Sequence, residues 1–200
     1  MSAELVSSGS RRESIADAGI RIISRDGVRA LTHRAVDREA QLPQGSTSYH
    51  AKTRAALLEL IVDVLTSRTK LDTEALGTDL NTEFADEDRP TVDQLAALLA
   101  ALVDTLTARQ DDMRARYALI LELNDVPDLR QKLIDQSDVN AAARLVATRA
   151  LAKTGLPNWG AHVDELLSLT DSLVFYRTAV NPTVDLQSIL ARYLRGATHA

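Results

Sequence analysis

The chain has 200 residues, 45% hydrophobic and 26% charged, with a formal net charge of −5, which suits one medium domain or a small head on a larger body. It holds no cysteine, so disulfides, zinc knuckles and thiol catalysis are excluded. No signal-peptide pattern and no 18-residue apolar run occurs in it, and a cytoplasmic protein is expected.

Residues 1–9 are small and polar and read as a flexible arm. Ser10 and Glu13 have capping-box spacing, and Ile15, Ala18, Gly19, Ile22 and Ile23 follow at helical intervals. Gly27 supplies a left-handed stop, which predicts a first helix over about 11–26. Thr32 caps a short second helix with Ala35, Val36 and Ala40 facing inward. Leu42-Pro43 turns the chain, and Pro43 suits the first position of a third helix over 43–50. Thr53 caps a fourth, carrying Leu57, Leu58, Ile61, Val62 and Leu65 to about residue 70.

Eight acids and one arginine over 72–93 read as a solvated connection between head and body, and include Asp86-Glu87-Asp88. Thr91 and Gln94 form a second capping box, followed by the apolar face of Leu95, Leu98, Leu99, Leu102, Val103 and Leu106. Further helices are expected over 112–124, over 127–154 from Pro127 to a stop at Gly155, over 158–179 after Pro157, and over 183–195 after Pro182. No strand pattern or internal repeat is present, so the expectation is an all-α protein of nine helices.

Charge is uneven along the chain. Residues 1–70 hold 11 Lys/Arg against 8 Asp/Glu, whereas residues 71–200 hold 12 against 20. Positive charge therefore sits with the segment 31–58, whose helix, tight turn and second helix have the form of a DNA-reading helix-turn-helix. Thr32 places a hydroxyl at a helix N-terminus, and Arg34 in the same turn can reach a phosphate or base edge. Gln44, Gly45, Ser46 and Ser48 are small or flexible and permit close approach to a groove floor; Tyr49 and His50 are longer donors beyond them. Lys52 and Arg54 are placed to grip flanking phosphates. The plain structural alternatives are that Thr32 is only a cap, Tyr49 packs on the first helix and Gly45 only punctuates a turn.

The segment 12–58 resembles the DNA-binding head of the tetracycline-repressor (TetR) family. The matching positions are Gly27 to Leu31-Thr32, Ala40-Gln41-Leu42-Pro43, Gly45-Ser46-Thr47-Ser48, Ala51, and Thr53-Arg54 before Leu57-Leu58. Departures are Gln41 for the family's turn glycine, Ser48 for its DNA-contacting tyrosine and Ala51 for its phenylalanine. The resemblance implies a helix-turn-helix domain over 10–54 and a ligand-binding and dimerisation domain over 55–200. It further implies a homodimer through the last two helices, to which Leu166, Leu173, Val174, Leu186, Ile189, Leu190 and Leu194 would contribute, unless they complete the subunit's own core. A small-molecule effector would bind among the middle helices, with Tyr117, Asn124, Trp159, His162, Thr170 and Tyr176 as candidate lining residues or else as core packing.

The function expected on this basis is a repressor released from a palindromic DNA operator by its ligand, with no membrane partner, cofactor or metal. An enzyme is the first rival, but the chain has no Gly-x-Ser-x-Gly elbow, phosphate loop or His-x-x-x-His pair, and His162 and Asp164 stand two apart on a helix, facing different ways. The second rival is a helical interaction or ligand-binding module that has lost DNA binding.

Overall fold

The computed structural model describes residues 2–84, 89–134, 138–154 and 158–197, with the side chains of 2–10 and 138 outside that description. Among these residues there are ten α-helices and no strand: α1 Ser2–Asp26, α2 His33–Glu39, α3 Ser46–His50, α4 Arg54–Glu83, α5 Val92–Ala108, α6 Gln110–Glu122, α7 Pro127–Leu133, α8 Asp138–Thr154, α9 Val163–Ala179 and α10 Leu186–Ala197. No helix among them is long and apolar enough to cross a membrane. The expected stop at Gly155, the Pro157 that precedes the next expected helix and the acidic run at 86–88 lie outside the described residues.

The chain divides into two compact units, one of residues 1–67 and 111–137, the other of 68–110 and 138–200. The first unit therefore includes α6 and α7, which the sequence pattern places with the body. The reason is apolar burial: Leu119, Leu123, Leu129 and Leu133 enter one core with Ile15, Ile20, Ile23, Leu31, Leu57 and Ile61. Gly19 on α1 makes room for the Ile61 side chain of α4, since a methyl there would stand 2.4 Å from Ile61 Cδ1. Lys132 on α7 bridges Glu59 at 3.2 Å and Asp63 at 3.1 Å on α4, and Ser24 donates to Asp111 at 2.7 Å.

In the second unit α10 lies along α5, burying Leu186, Leu190, Ala191 and Leu194, while α9 packs on α5 and α8. The capping box at Thr91 forms as expected, with Gln94 N–H donating to Thr91 Oγ1 at 3.2 Å and Thr91 N–H to Gln94 Oε1 at 2.9 Å. An ion pair between Arg177 and Asp104 at 2.6 Å joins α9 to α5.

Four boundaries differ from expectation. The backbone of α1 is helical from Ser2, in place of the expected flexible arm; no proline interrupts that stretch. The expected connection from 72 is instead the second half of α4, which runs to Glu83. Its buried stripe continues through Thr69, Thr73, Leu76 and Leu80, and Phe84 is buried just beyond its end. Two of those positions are threonines, which hide the stripe from hydropathy; Thr73 satisfies its hydroxyl by donating to Thr69 O at 2.8 Å. The helix expected over 127–154 ends at Leu133, where Ile134 leaves helical geometry with φ −112° and ψ −85°. Finally Trp159–His162 forms a 3₁₀ turn ahead of α9 rather than its first turn, with Asn158 at φ 54° before it.

Candidate nucleic-acid interface and ligand groove

The turn between α2 and α3 is built on one carboxylate. Asp37 is 3% exposed, and its two oxygens accept from Gly45 N–H at 2.8 Å, Thr47 N–H at 2.8 Å and Thr47 Oγ1 at 2.6 Å. Burial works to raise the Asp37 pKa, but the hydrogen bonds from Thr47 and Gly45 outweigh it and hold the carboxyl below its ordinary value. Two backbone donors at the start of α3 are thereby satisfied from α2, which fixes the short helix against its neighbour. His33 adds a second tie, its Nε2 2.7 Å from Ala51 O just past α3. Neither Asp37, Thr47 nor His33 stands out in the sequence; an Asp eight and ten residues before Gly45 and Thr47 has no local signature.

Pro43 belongs to the turn rather than to α3, and its carbonyl accepts from Ser46 N–H at 3.1 Å and Ser46 Oγ at 2.7 Å. Gly45 is the N-cap of α3, with φ +94°, and a methyl on it would meet nothing within 4 Å. Glycine is needed there for backbone conformation, not for close approach within the chain. Gln41, which stands where the resembling family has glycine, sits at φ 55°.

Thr32 caps α2, accepting from Ala35 N–H at 3.1 Å, and is exposed. Arg34, Gln44, Gly45, Ser48 and Lys52 are also exposed; Ser46 and His50 are half-buried. Tyr49 does not pack on α1: it is 82% exposed, with its ring edge-to-face with His50 at 5.2 Å and 87°. Thr32, Arg34 and the residues of the α3 segment thus belong to one unit, with α3 presenting its outer residues to solvent. Arg54, expected at a phosphate, is exposed and also bonded within its own unit. Its guanidinium donates to Leu31 O and, at 2.7 Å, to Val28 O, so the charge is engaged with carbonyls inside its own unit. Behind the interface Glu39 is held by Arg21 at 3.0 Å and Arg25 at 3.2 Å, and the Arg21 hydrogen bond leads in lowering its pKa.

The six candidate ligand residues divide between the two units. Tyr117 and Asn124 belong to the first unit, and Asn124 is exposed, donating to Leu121 O at 3.1 Å. Trp159, His162, Thr170 and Tyr176 belong to the second. Thr170 spends its hydroxyl on Leu166 O at 2.8 Å, and Tyr176 is 44% exposed. His162 Nδ1 lies 2.9 Å from Glu165 Oε2, which also accepts from Tyr193 OH at 2.9 Å. Burial and that carboxylate push the Tyr193 phenol up, and the bonds from His162 and Tyr193 hold Glu165 down. A groove of about 410 Å³ does exist in the second unit, lined by Gly77, Thr78 and Asn81 of α4 and Leu145, Val146 and Arg149 of α8 among others. None of the six lines it. Leu166, Leu173, Val174, Leu186, Leu190 and Leu194, expected at a subunit interface, are buried within the chain itself; Phe175 and Tyr176 on α9 and Val180 just after it are exposed.

A three-helix reader with a presented α3, followed by an all-helical body, defines a helix-turn-helix regulator. Residues 90–200 match the family model described as the tetracyclin repressor-like C-terminal domain. The chain belongs to the TetR family of transcriptional regulators. Its fold is similar to that of a TetR-family member from Streptomyces coelicolor A3, at 23% identity, TM-score 0.66, and 94% of this chain on 97% of that one. It is also similar to the multidrug-binding protein EbrR complexed with proflavin, at 24% identity, TM-score 0.56, and 94% on 99%. NalD, the secondary repressor of the MexAB-OprM efflux pump in Pseudomonas aeruginosa, shares the fold at 15% identity, TM-score 0.62, and 96% of each chain. No curated protein sequence matches the chain.

Proposed function

We propose that this TetR-family regulator is a cytoplasmic homodimer that represses transcription from a palindromic DNA operator and is released by a small molecule, with no reaction of its own. The observation that carries the DNA-binding part is the presentation of α3: an aromatic ring 82% exposed on a five-residue helix whose base is latched to Asp37. Exposing that much ring to water is unfavourable unless a partner covers it. Arg34 and Lys52 would contact phosphates, with Gln44, Ser48, Tyr49 and His50 toward the bases. Arg54 would act by positioning the 28–31 turn. Two such readers must fall in successive major grooves, roughly 34–36 Å apart, and a ligand that alters their separation releases the operator.

For the effector, the groove between α4 and α8 is a better candidate than the six residues named from sequence, because it offers space beside apolar Leu145 and Val146. Proflavin, bound by EbrR, and ethidium, bound by the same protein, are the first probes to titrate.

The test is enrichment of bound duplexes from a random pool by the full chain, then binding at increasing salt. A palindrome should be recovered, with affinity falling steeply as salt rises. No enriched duplex, or a flat salt response, would leave a helical module without DNA binding.

A further inference from the structure

We infer that the α3 surface selects A·T base pairs, and that Gln44 and Tyr49 set this preference. The inference rests on the DNA-binding reading above and specifies its target. Between Glu39 and Lys52 the chain holds no lysine or arginine. In the major groove those are the side chains that select guanine, through its O6 and N7 acceptors. Adenine is instead matched by a carboxamide, which donates to N7 and accepts from N6–H₂, and the thymine methyl by an apolar face.

The side chains held outward by this segment fit the second pair. Gln44 is exposed in the turn and supplies the carboxamide. Tyr49 supplies the apolar face, with its ring braced by the edge contact to His50. Two other polar groups of the segment are withdrawn: Ser46 Oγ donates to Pro43 O at 2.7 Å, and Thr47 Oγ1 donates to the buried Asp37 at 2.6 Å; His50 is half-buried, with its ring against Tyr49. Ser48 remains exposed, and a hydroxyl serves either kind of base pair. The exposed cations nearest in sequence are Arg34 and Arg38 on α2 and Lys52 beyond α3, which puts guanine and phosphate contacts at the flanks of the half-site.

Selection from a random duplex pool, using the full chain, should return half-sites with A·T pairs at the steps facing α3. Gln44→Ala should relax one A·T step by roughly tenfold while leaving the others, and Gln44→Arg should convert that step to G·C. Replacing thymine by uracil in the selected duplex removes only the methyl. It should weaken wild-type binding severalfold and have no effect on Tyr49→Ala. Both side chains are exposed, so melting curves of the variants should overlay that of the wild type. Enriched half-sites with G·C at those steps would overturn the inference and leave the regulator standing. So would A·T steps indifferent to both Gln44 substitutions and to uracil. Failure to enrich any duplex would sink the DNA-binding reading and this inference with it.

Discussion

Asp37 shows how much of the reader depends on a single side chain. It is an ionised group in a buried place, and it is tolerated because three donors converge on it. Asp37→Ala leaves Gly45 N–H, Thr47 N–H and the Thr47 hydroxyl without their acceptor, and we expect a loss of about 3 kcal/mol in a denaturant melt. Because its folded pKa lies below its unfolded value, its stabilisation is complete above the unfolded carboxylate range near pH ~4 and is lost as pH falls through the folded pKa. Glu39, lowered by Arg21 and Arg25, acts in the same direction. Stability measured from pH 7 downward should therefore drop in acid, and the drop should be shallower in Asp37→Asn. Two neighbouring residues with positive φ separate conformational strain from packing. Gly45→Ala meets no atom but holds φ at +94°, and should cost about 1 kcal/mol; Gln41→Gly at φ 55° relieves strain and should be neutral to slightly stabilising.

At the scale of elements, α1 meets α4 at one tight spot, where Gly19 faces the Ile61 side chain. The site at Gly19 sets two effects against each other. Glycine inside a helix is unfavourable by about 1 kcal/mol relative to alanine. Any Cβ there would stand 2.4 Å from Ile61 Cδ1 and 3.0 Å from its Cγ1, and Ile61 is itself fully buried. Overpacking of this kind costs about 1–3 kcal/mol, so packing outweighs propensity. Gly19→Val should lower the melting temperature clearly, and thermal unfolding followed by circular dichroism measures it. The element boundaries that sequence patterns located well, such as the Thr91–Gln94 box, the Thr53 cap with Ala56 N–H at 3.1 Å and the Gly27 stop at φ +84°, are those decided by groups within a few residues of one another. The continuation of α4 past residue 70 was not legible. Its inward face runs through two threonines before it reaches Leu76 and Leu80, and only its neighbours in the second unit show that the threonines are covered.

For the whole molecule, the strongest expectation concerns assembly. Leu186, Leu190 and Leu194 are committed to the subunit's own core, so a second copy has to be met by the surface that remains. That surface includes Phe175 at 45%, Tyr176 at 44% and Val180 at 59% exposure, at the end of α9. Replacing Phe175 by serine and Val180 by lysine together should shift the sedimentation coefficient from dimer toward monomer without altering the helical spectrum. A species unchanged in mass would move the interface elsewhere.

Sequence by itself determined the class of fold, the order of the helices and the location of the reader, because helical periodicity, caps and the Gly27-to-Leu58 spacing are all short-range and visible along one chain. It also located the cations that flank α3. Tertiary structure alone decided that Arg54 turns back onto carbonyls, that Asp37 holds the base of α3, that α6 and α7 share a core with α1, and that a groove lies between α4 and α8. Each of these depends on which distant segments come within a few ångströms of one another, and a hydrogen bond or a void has no signature until both of its sides are in place.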